Sequence, residues 1–122
     1  MKLSRESKED VLVIKIKGKF IIGTEDALRN EVQEALAAGW RKVVLDLKGI
    51  TTIDSSGLAE LVSIYTTVTN RGGRLSLSCP SQKVVDIMTI TQLISVFDVF
   101  DSSDEAVDYL RSAEIRPELV DQ

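Results

Sequence analysis

The chain has 122 residues, of which 43% are hydrophobic and 28% charged, and this composition is typical of a single globular domain. Fifteen Lys and Arg residues against nineteen Asp and Glu give a net charge of −4, which disfavours a domain that binds nucleic acid by neutralising its phosphates. The sequence contains no histidine, which excludes catalytic triads, general bases and metal sites that depend on imidazole.

The single cysteine, Cys79, can form neither an intramolecular disulfide nor a cysteine-rich zinc site, so the sequence does not require an oxidising compartment. No apolar stretch approaches the roughly 18 residues of a membrane-spanning helix, and the charged segment 1–6 lacks the apolar core of a signal peptide. We therefore expect a cytoplasmic protein with no membrane span, no metal and no cofactor.

The first predicted elements are two strands and a helix. Residues 11–17 begin as a β-rich apolar run and end in apolar–polar alternation, which predicts a strand that stops at Gly18. A shorter strand over 2–6 is predicted to pair with it through a polar turn. Thr24 is a typical helix N-cap residue and Gly39 a typical helix stop. Between them, apolar side chains at helical spacing predict a helix: Leu28, Val32, Ala35 and Leu36.

The middle of the chain predicts a buried strand, a loop and a second helix. Residues 43–47 form a nearly continuous apolar run, as expected for a central strand covered on both faces. Residues 48–54 are predicted to be a loop, and the helical pattern that follows over 55–70 ends at Gly72. The apolar positions of this helix are Leu58, Leu61, Val62, Tyr65 and Val68.

The last third of the chain continues the alternation of strands and helices. A strand is predicted over 75–78, a short helix around 84–88 and a last strand over 96–100. Ser102 with Glu105 three residues later is a capping-box pattern and predicts a terminal helix. The charged segment after it has little to bury.

The summed order, β-β-α-β-α-β-α-β-α, predicts an α/β domain in which a mixed β-sheet with parallel crossovers is covered by about four helices. We expect one domain over 1–112, followed by a charged and flexible C-terminal tail over 113–122.

The segment 50–58 is the best candidate for function because it lies between a central strand and a helix, where α/β sheets usually carry their sites. Ser55 and Ser56 lie at the predicted helix start, where unpaired backbone N–H groups and the helix dipole favour a phosphate group. A phosphoserine would add about −1.5 to −2 charges to an exposed turn. The alternative is that Asp54 and both serines only cap the helix, which these residue types commonly do.

Four segments occur in order along the chain: 42–47 (KVVLDL), 53–58 (IDSSGL), 70–75 (NRGGRL) and 96–98 (VFD). With them, the chain from Val11 to Leu110 resembles the STAS family, the domain shared by bacterial anti-sigma factor antagonists and the cytosolic tails of sulfate transporters. The resemblance implies that Ser55 is phosphorylated by a partner that is both a serine kinase and an anti-sigma factor. It also implies that the unmodified protein binds this partner and frees a sigma factor, whereas the phosphorylated protein releases it.

The segment before the first helix departs from the family pattern. Where many antagonists carry an acidic G-E-L-D or G-E-I-D type of sequence, residues 18–24 read GKFIIGT, so an apolar patch replaces an acidic one. Phe20 and Ile21 are interpreted as core residues, and a partner-facing rim is the alternative. We expect contacts with the partner on both sides of Ser55, from Asp54, Ser56, Gly57, Ile22, Gly23 and Thr24.

The most favoured function is a non-enzymatic module that binds an anti-sigma factor/serine kinase, does not contact nucleic acid directly and is a monomer or weak dimer. The alternative is a constitutive STAS scaffold subunit of a lipid-transport ATPase or sensory complex, in which Ser55 is only a cap. An enzyme or nucleotide-binding domain is disfavoured because histidine is missing and neither the P-loop nor the dinucleotide glycine pattern occurs.

Overall fold

The computed structural model describes residues 1–113, except for the side chain of Glu25. Beyond residue 113, the predicted tail lies outside the described residues. Five strands form one sheet: β1 (Lys2–Lys8), β2 (Val11–Phe20), β3 (Lys42–Ile53), β4 (Arg74–Ser78) and β5 (Asp98–Phe100). Four α-helices follow the strands from β2 onward: α1 (Glu25–Ala37), α2 (Ser55–Asn70), α3 (Gln82–Ile90) and α4 (Ser103–Arg111). A short 3₁₀ turn spans Leu93–Ser95.

The strands lie side by side in chain order, with β1 at one edge of the sheet and β5 at the other. β1 pairs antiparallel with β2, and every later neighbour pair is parallel. This confirms the predicted mixed sheet with parallel crossovers. Because β2 to β5 run parallel, the loops that follow their carboxyl ends lie together at one end of the sheet. The candidate segment lies at this end.

The two faces of the sheet carry cores of different size. On one face, Leu12, Ile14 and Ile16 of β2 join the main cluster with buried residues of α1, α2 and α3. On the other face, Val11 and Val13 join a smaller cluster with three residues of α4: Ala106, Val107 and Leu110. The alternation of side chains along β2 therefore divides the helices between the faces, three on one and one on the other.

The loop predicted over 48–54 is wrong, because β3 continues as a strand to Ile53. β2 also continues past Gly18, whose φ of +108° lies at one of two register shifts, and ends at Phe20. Phe20 then pairs with Ile53, so the longer β2 supplies backbone partners for the longer β3. Only Asp54 separates β3 from α2, which places the candidate serines directly after a sheet strand.

The other differences from the predicted elements concern their ends. β1 is two residues longer than predicted, and β5 begins at Asp98 because the residues before it follow the 3₁₀ turn. The predicted cap of α4 is confirmed, since Ser102 Oγ accepts the Glu105 N–H at 3.1 Å. None of the helices within residues 1–113 combines the length and the hydrophobicity that crossing a bilayer requires.

Candidate functional site

The site is built on the first turn of α2. Asp54 is the N-cap, in extended conformation, and its Oδ1 accepts the backbone N–H of Gly57 at 3.0 Å. The Leu58 N–H donates to the Asp54 carbonyl at 3.0 Å and closes the first helical turn. Asp54 therefore performs the capping alone, and the two serines that follow are free of that role.

Ser55 is exposed, and Ser56 beside it is half-buried. The Ser55 hydroxyl makes no hydrogen bond to any group among the residues whose side chains the structure describes. The sequence has no His to act as a general base, and no side chain that the structure describes is hydrogen-bonded to this hydroxyl. It can instead act as an acceptor of a phosphoryl group that another protein delivers.

The second carboxylate oxygen of Asp54 leaves the helix and holds a different loop. Asp54 Oδ2 accepts the backbone N–H of Ile22 at 3.0 Å. The N–H groups of Gly57 and then Ile22 keep the pKa of Asp54 below its ordinary value, because both stabilise the ionised carboxylate. One side chain thus joins the start of α2 to the β2–α1 loop, residues 21–24.

The β2–α1 loop is closed on itself by Thr24. Thr24 Oγ1 accepts the N–H of Ile21 at 3.0 Å and donates to the Ile21 carbonyl at 2.6 Å. Thr24 occupies the N-cap position of α1, which confirms the predicted helix start, but its side chain makes no cap hydrogen bond there. The bonds to Ile21 leave the next two residues exposed: Gly23, with φ of +91°, and Ile22, which exposes 72% of its surface.

Gly57 and Phe20 pack closely where the start of α2 meets the end of β2. Phe20 is fully buried, which confirms its interpretation as a core residue. Gly57 is also buried, and a Cβ atom there would lie 2.3 Å from the Phe20 carbonyl oxygen. Only glycine lets α2 approach the end of β2 this closely, so Gly57 contributes to the site through backbone packing.

An ion pair that the sequence patterns do not reveal holds α1 against α2. Glu60 of α2 exposes only 3% of its surface, and its Oε1 accepts from Arg29 Nε at 2.9 Å. A second contact joins Arg29 Nη2 to the other carboxylate oxygen, so the pair is bidentate. Arg29 and Glu60 lie 31 residues apart in the sequence, and each looks like an ordinary exposed helix charge. The pair fixes the helix that follows the β2–α1 loop.

The structure brings the two predicted loop segments together and leaves the other motifs elsewhere. Asp54, Ser55 and Ser56 lie at the same end of the sheet as the β2–α1 loop, because β2 and β3 run parallel. Gly72 has a φ of +78° and ends α2, which confirms its interpretation as a turn. Within residues 1–113, no group of three or more His, Cys, Asp or Glu side chains is arranged to hold a metal ion.

Comparison with known proteins identifies the family to which this chain is similar. The STAS domain model matches residues 2–106. A candidate anti-sigma factor antagonist of Thermotoga maritima is 31% identical over 78 residues, which are 64% of this chain and 69% of that protein. A crystal structure of a candidate anti-sigma factor antagonist from Thermotoga maritima has a TM-score of 0.82 at 24% identity and covers 89% of this chain and 94% of its own. The structure of the phosphorylated form of the Bacillus cell fate determinant SpoIIAA has a TM-score of 0.70 at 19% identity. The match covers 90% of this chain and 100% of that one.

Proposed function

The chain belongs to the STAS domain family, and from this premise we propose that it is an anti-sigma factor antagonist whose binding to its partner is switched off by phosphorylation of Ser55. The observation that carries the proposal is the exposed Ser55 hydroxyl, free of hydrogen bonds to the described side chains, in the first turn of α2. The partner is an anti-sigma factor that is also the serine kinase, and both act in the cytoplasm, where ATP is available.

The electrostatics of α2 support a switch that acts at the surface. Glu60 is the only charged residue in α2, and its charge is buried against Arg29. A phosphate on Ser55 would add about −1.5 to −2 charges beside the carboxylate of Asp54. A partner whose surface fits the neutral hydroxyl would then face like charges or a desolvation cost, which weakens binding.

The neighbouring loop supplies an apolar contact for the same partner. Ile22 is 72% exposed and is held by the carboxylate that caps α2, so it lies beside the first turn of that helix. Exposed apolar side chains next to polar groups are typical of protein-binding surfaces. The proposed interface therefore consists of the first turn of α2 and the β2–α1 loop, with Ile22 as its apolar anchor.

The first experiment determines where phosphate is found. The chain is isolated from its own cells and analysed by intact mass and fragmentation, with the Ser56→Ala and Ser55→Ala variants as a matched pair. We expect one phosphate on Ser55, unchanged in Ser56→Ala and missing in Ser55→Ala. Phosphate on another residue, or none under any growth condition, would falsify the switch.

The second experiment measures binding. Tagged Ser55→Ala and Ser55→Asp variants are expressed in the same cells, and the proteins that they retain are identified and titrated against each variant. We expect an anti-sigma factor with kinase activity to bind Ser55→Ala and to bind Ser55→Asp at least about tenfold more weakly. Equal retention by both variants contradicts the charge argument, and retention of membrane-transport subunits instead would favour a constitutive scaffold.

A further inference from the structure

The face of the sheet that carries α4 is only partly covered. Beside α4 lies an open groove of about 580 Å³ over β1, β2 and β3. Its lining includes polar and charged side chains from all three strands: Lys2, Ser4, Lys15, Lys17, Asp46 and Lys48. An α-helix with its side chains is about 10 Å across, so α4 rises as a ridge beside this recessed groove.

The groove carries lysines whose charge is not paired by any side chain that the structure describes. Lys2 and Lys17 lie directly opposite each other in the antiparallel register of β1 and β2, an arrangement that is unfavourable for like charges. Lys15 forms an ion pair with Glu6 at 3.2 Å. Lys2, Lys17 and Lys48 have no ion-pair partner among the side chains that the structure describes. In a chain of net charge −4, this cluster is a local site for an acidic partner.

The acidic complement lies on the same face, on the ridge. Asp104, Glu105 and Asp108 of α4 are exposed, and Asp101 precedes the helix. Asp104 and Asp108 lie on the flank of α4 that borders Lys8 of β1. Among these, Asp108 is paired with Arg111 of the same helix at 3.5 Å. One face of the molecule thus presents an acidic ridge next to a basic groove.

We propose that two copies of this chain associate through this face, with α4 of each copy lying in the groove of the other. The two copies are related by a twofold axis that runs parallel to the strands, midway between the two facing sheets. This axis places α4 of the first copy over the groove of the second, and α4 of the second copy over the groove of the first. Each contact sets acidic side chains of α4 against Lys2, Lys17 and Lys48, and so relieves the like-charge pair of β1 and β2. Because α2 packs on the opposite face of the sheet, Ser55 stays accessible in the dimer.

The test uses two charge-reversed variants and their mixture, followed by sedimentation velocity. One variant is Lys2→Glu with Lys17→Glu, and the other is Asp104→Lys with Asp108→Lys. In a reciprocal contact, each variant alone opposes like charges at both contacts, whereas a mixed pair restores opposite charges at both. We expect the wild type to dimerise, each variant alone to associate at least about tenfold more weakly, and the equimolar mixture to form a heterodimer.

Salt and matched controls complete the experiment. Raising the ionic strength from about 0.01 M to about 1 M shortens the screening length from about 30 Å to about 3 Å and should dissociate the wild-type dimer. Lys83→Glu with Asp86→Lys, a reversal on exposed positions of α3, should leave association unchanged. Thermal melts of every variant verify that each is folded. A wild type that stays monomeric up to about 1 mM at low salt, or a mixture that does not associate, overturns the proposal. Neither result depends on Ser55 or its kinase.

Discussion

Asp54 and Ile22 lie 32 residues apart in the sequence, and the carboxylate of the first accepts the backbone N–H of the second at 3.0 Å. The other oxygen of the same carboxylate accepts the Gly57 N–H, so one side chain both starts α2 and holds the β2–α1 loop. The exposed serine and the exposed isoleucine are therefore parts of one surface, and the Asp54 carboxylate links the two segments directly.

Replacing Asp54 by Ala should free the loop while leaving the domain folded. Without the carboxylate, the N–H groups of Ile22 and Gly57 lose their acceptor, so their hydrogen exchange should become faster. Amide exchange followed by NMR measures both positions directly. Asp101→Ala, an exposed aspartate outside the site, is the control and should change neither rate. Unchanged exchange at Ile22 would contradict the role of Asp54 in the loop.

The same carboxylate should give stability a defined dependence on pH. The pKa of Asp54 is held below its ordinary value of 3.8 by the N–H groups of Gly57 and Ile22, so folding favours the ionised form. Its stabilisation is complete above the ordinary pKa and is lost as the pH falls through the lowered folded pKa. We expect urea unfolding to show that the wild type has a higher free energy of unfolding than Asp54→Asn. This difference should be constant from neutral pH to about 4 and should decrease below that pH. A difference that increases in acid contradicts this sign.

Gly57→Ala should destabilise the protein although alanine favours helices more than glycine does. The added Cβ would lie 2.3 Å from the Phe20 carbonyl oxygen and 2.9 Å from Ile53 Cγ1, so β2, β3 or α2 must move. We expect a loss of about 1–3 kcal/mol in the free energy of unfolding. Chemical denaturation measures it, with Ser56→Ala as the neighbouring control at no more than about 0.5 kcal/mol. A stabilised Gly57→Ala variant would disprove the close approach.

Arg29→Leu should destabilise the domain because Glu60 then remains buried without its bidentate partner. Arg29 is partly exposed, so water can partly replace it, and the expected loss is about 1–3 kcal/mol. Adding Glu60→Leu should recover most of that loss, because the unpaired buried charge is removed as well. Denaturant titration of both single variants and the double variant closes the thermodynamic cycle. If the double variant is no more stable than Arg29→Leu, the loss does not come from the buried charge of Glu60.

Ile22→Ser should weaken partner binding without affecting stability. The side chain is 72% exposed, so its replacement should change the free energy of unfolding by no more than about 0.5 kcal/mol. Ile90→Ser is the matched control, because Ile90 is 82% exposed at the end of α3. Titration of each variant with the anti-sigma partner should show weaker binding for Ile22→Ser only. Equal affinities would remove Ile22 from the proposed interface.

The order of elements could be predicted because each helix carries a regular apolar stripe and most strands a short apolar or alternating run. The end of β3 could not, since Lys48 and Gly49 interrupt the apolar run, and the strand beyond them depends on pairing with the extended β2. The sequence predicts both Asp54 and Ile22 at the site. Their hydrogen bond joins residues that only the folded sheet brings together, so no local pattern contains it.

The close approach of Gly57 to the Phe20 carbonyl restricts how α2 can move when its first turn is modified. With no spare volume at this crossing, α2 has nowhere to slide toward the sheet when its first turn is modified. A covalent mark on Ser55 would alter the exterior shape and charge of the domain while the interior kept one arrangement. Binding specificity can therefore change through exposed residues such as Ile22, whose side chain contributes little to the interior.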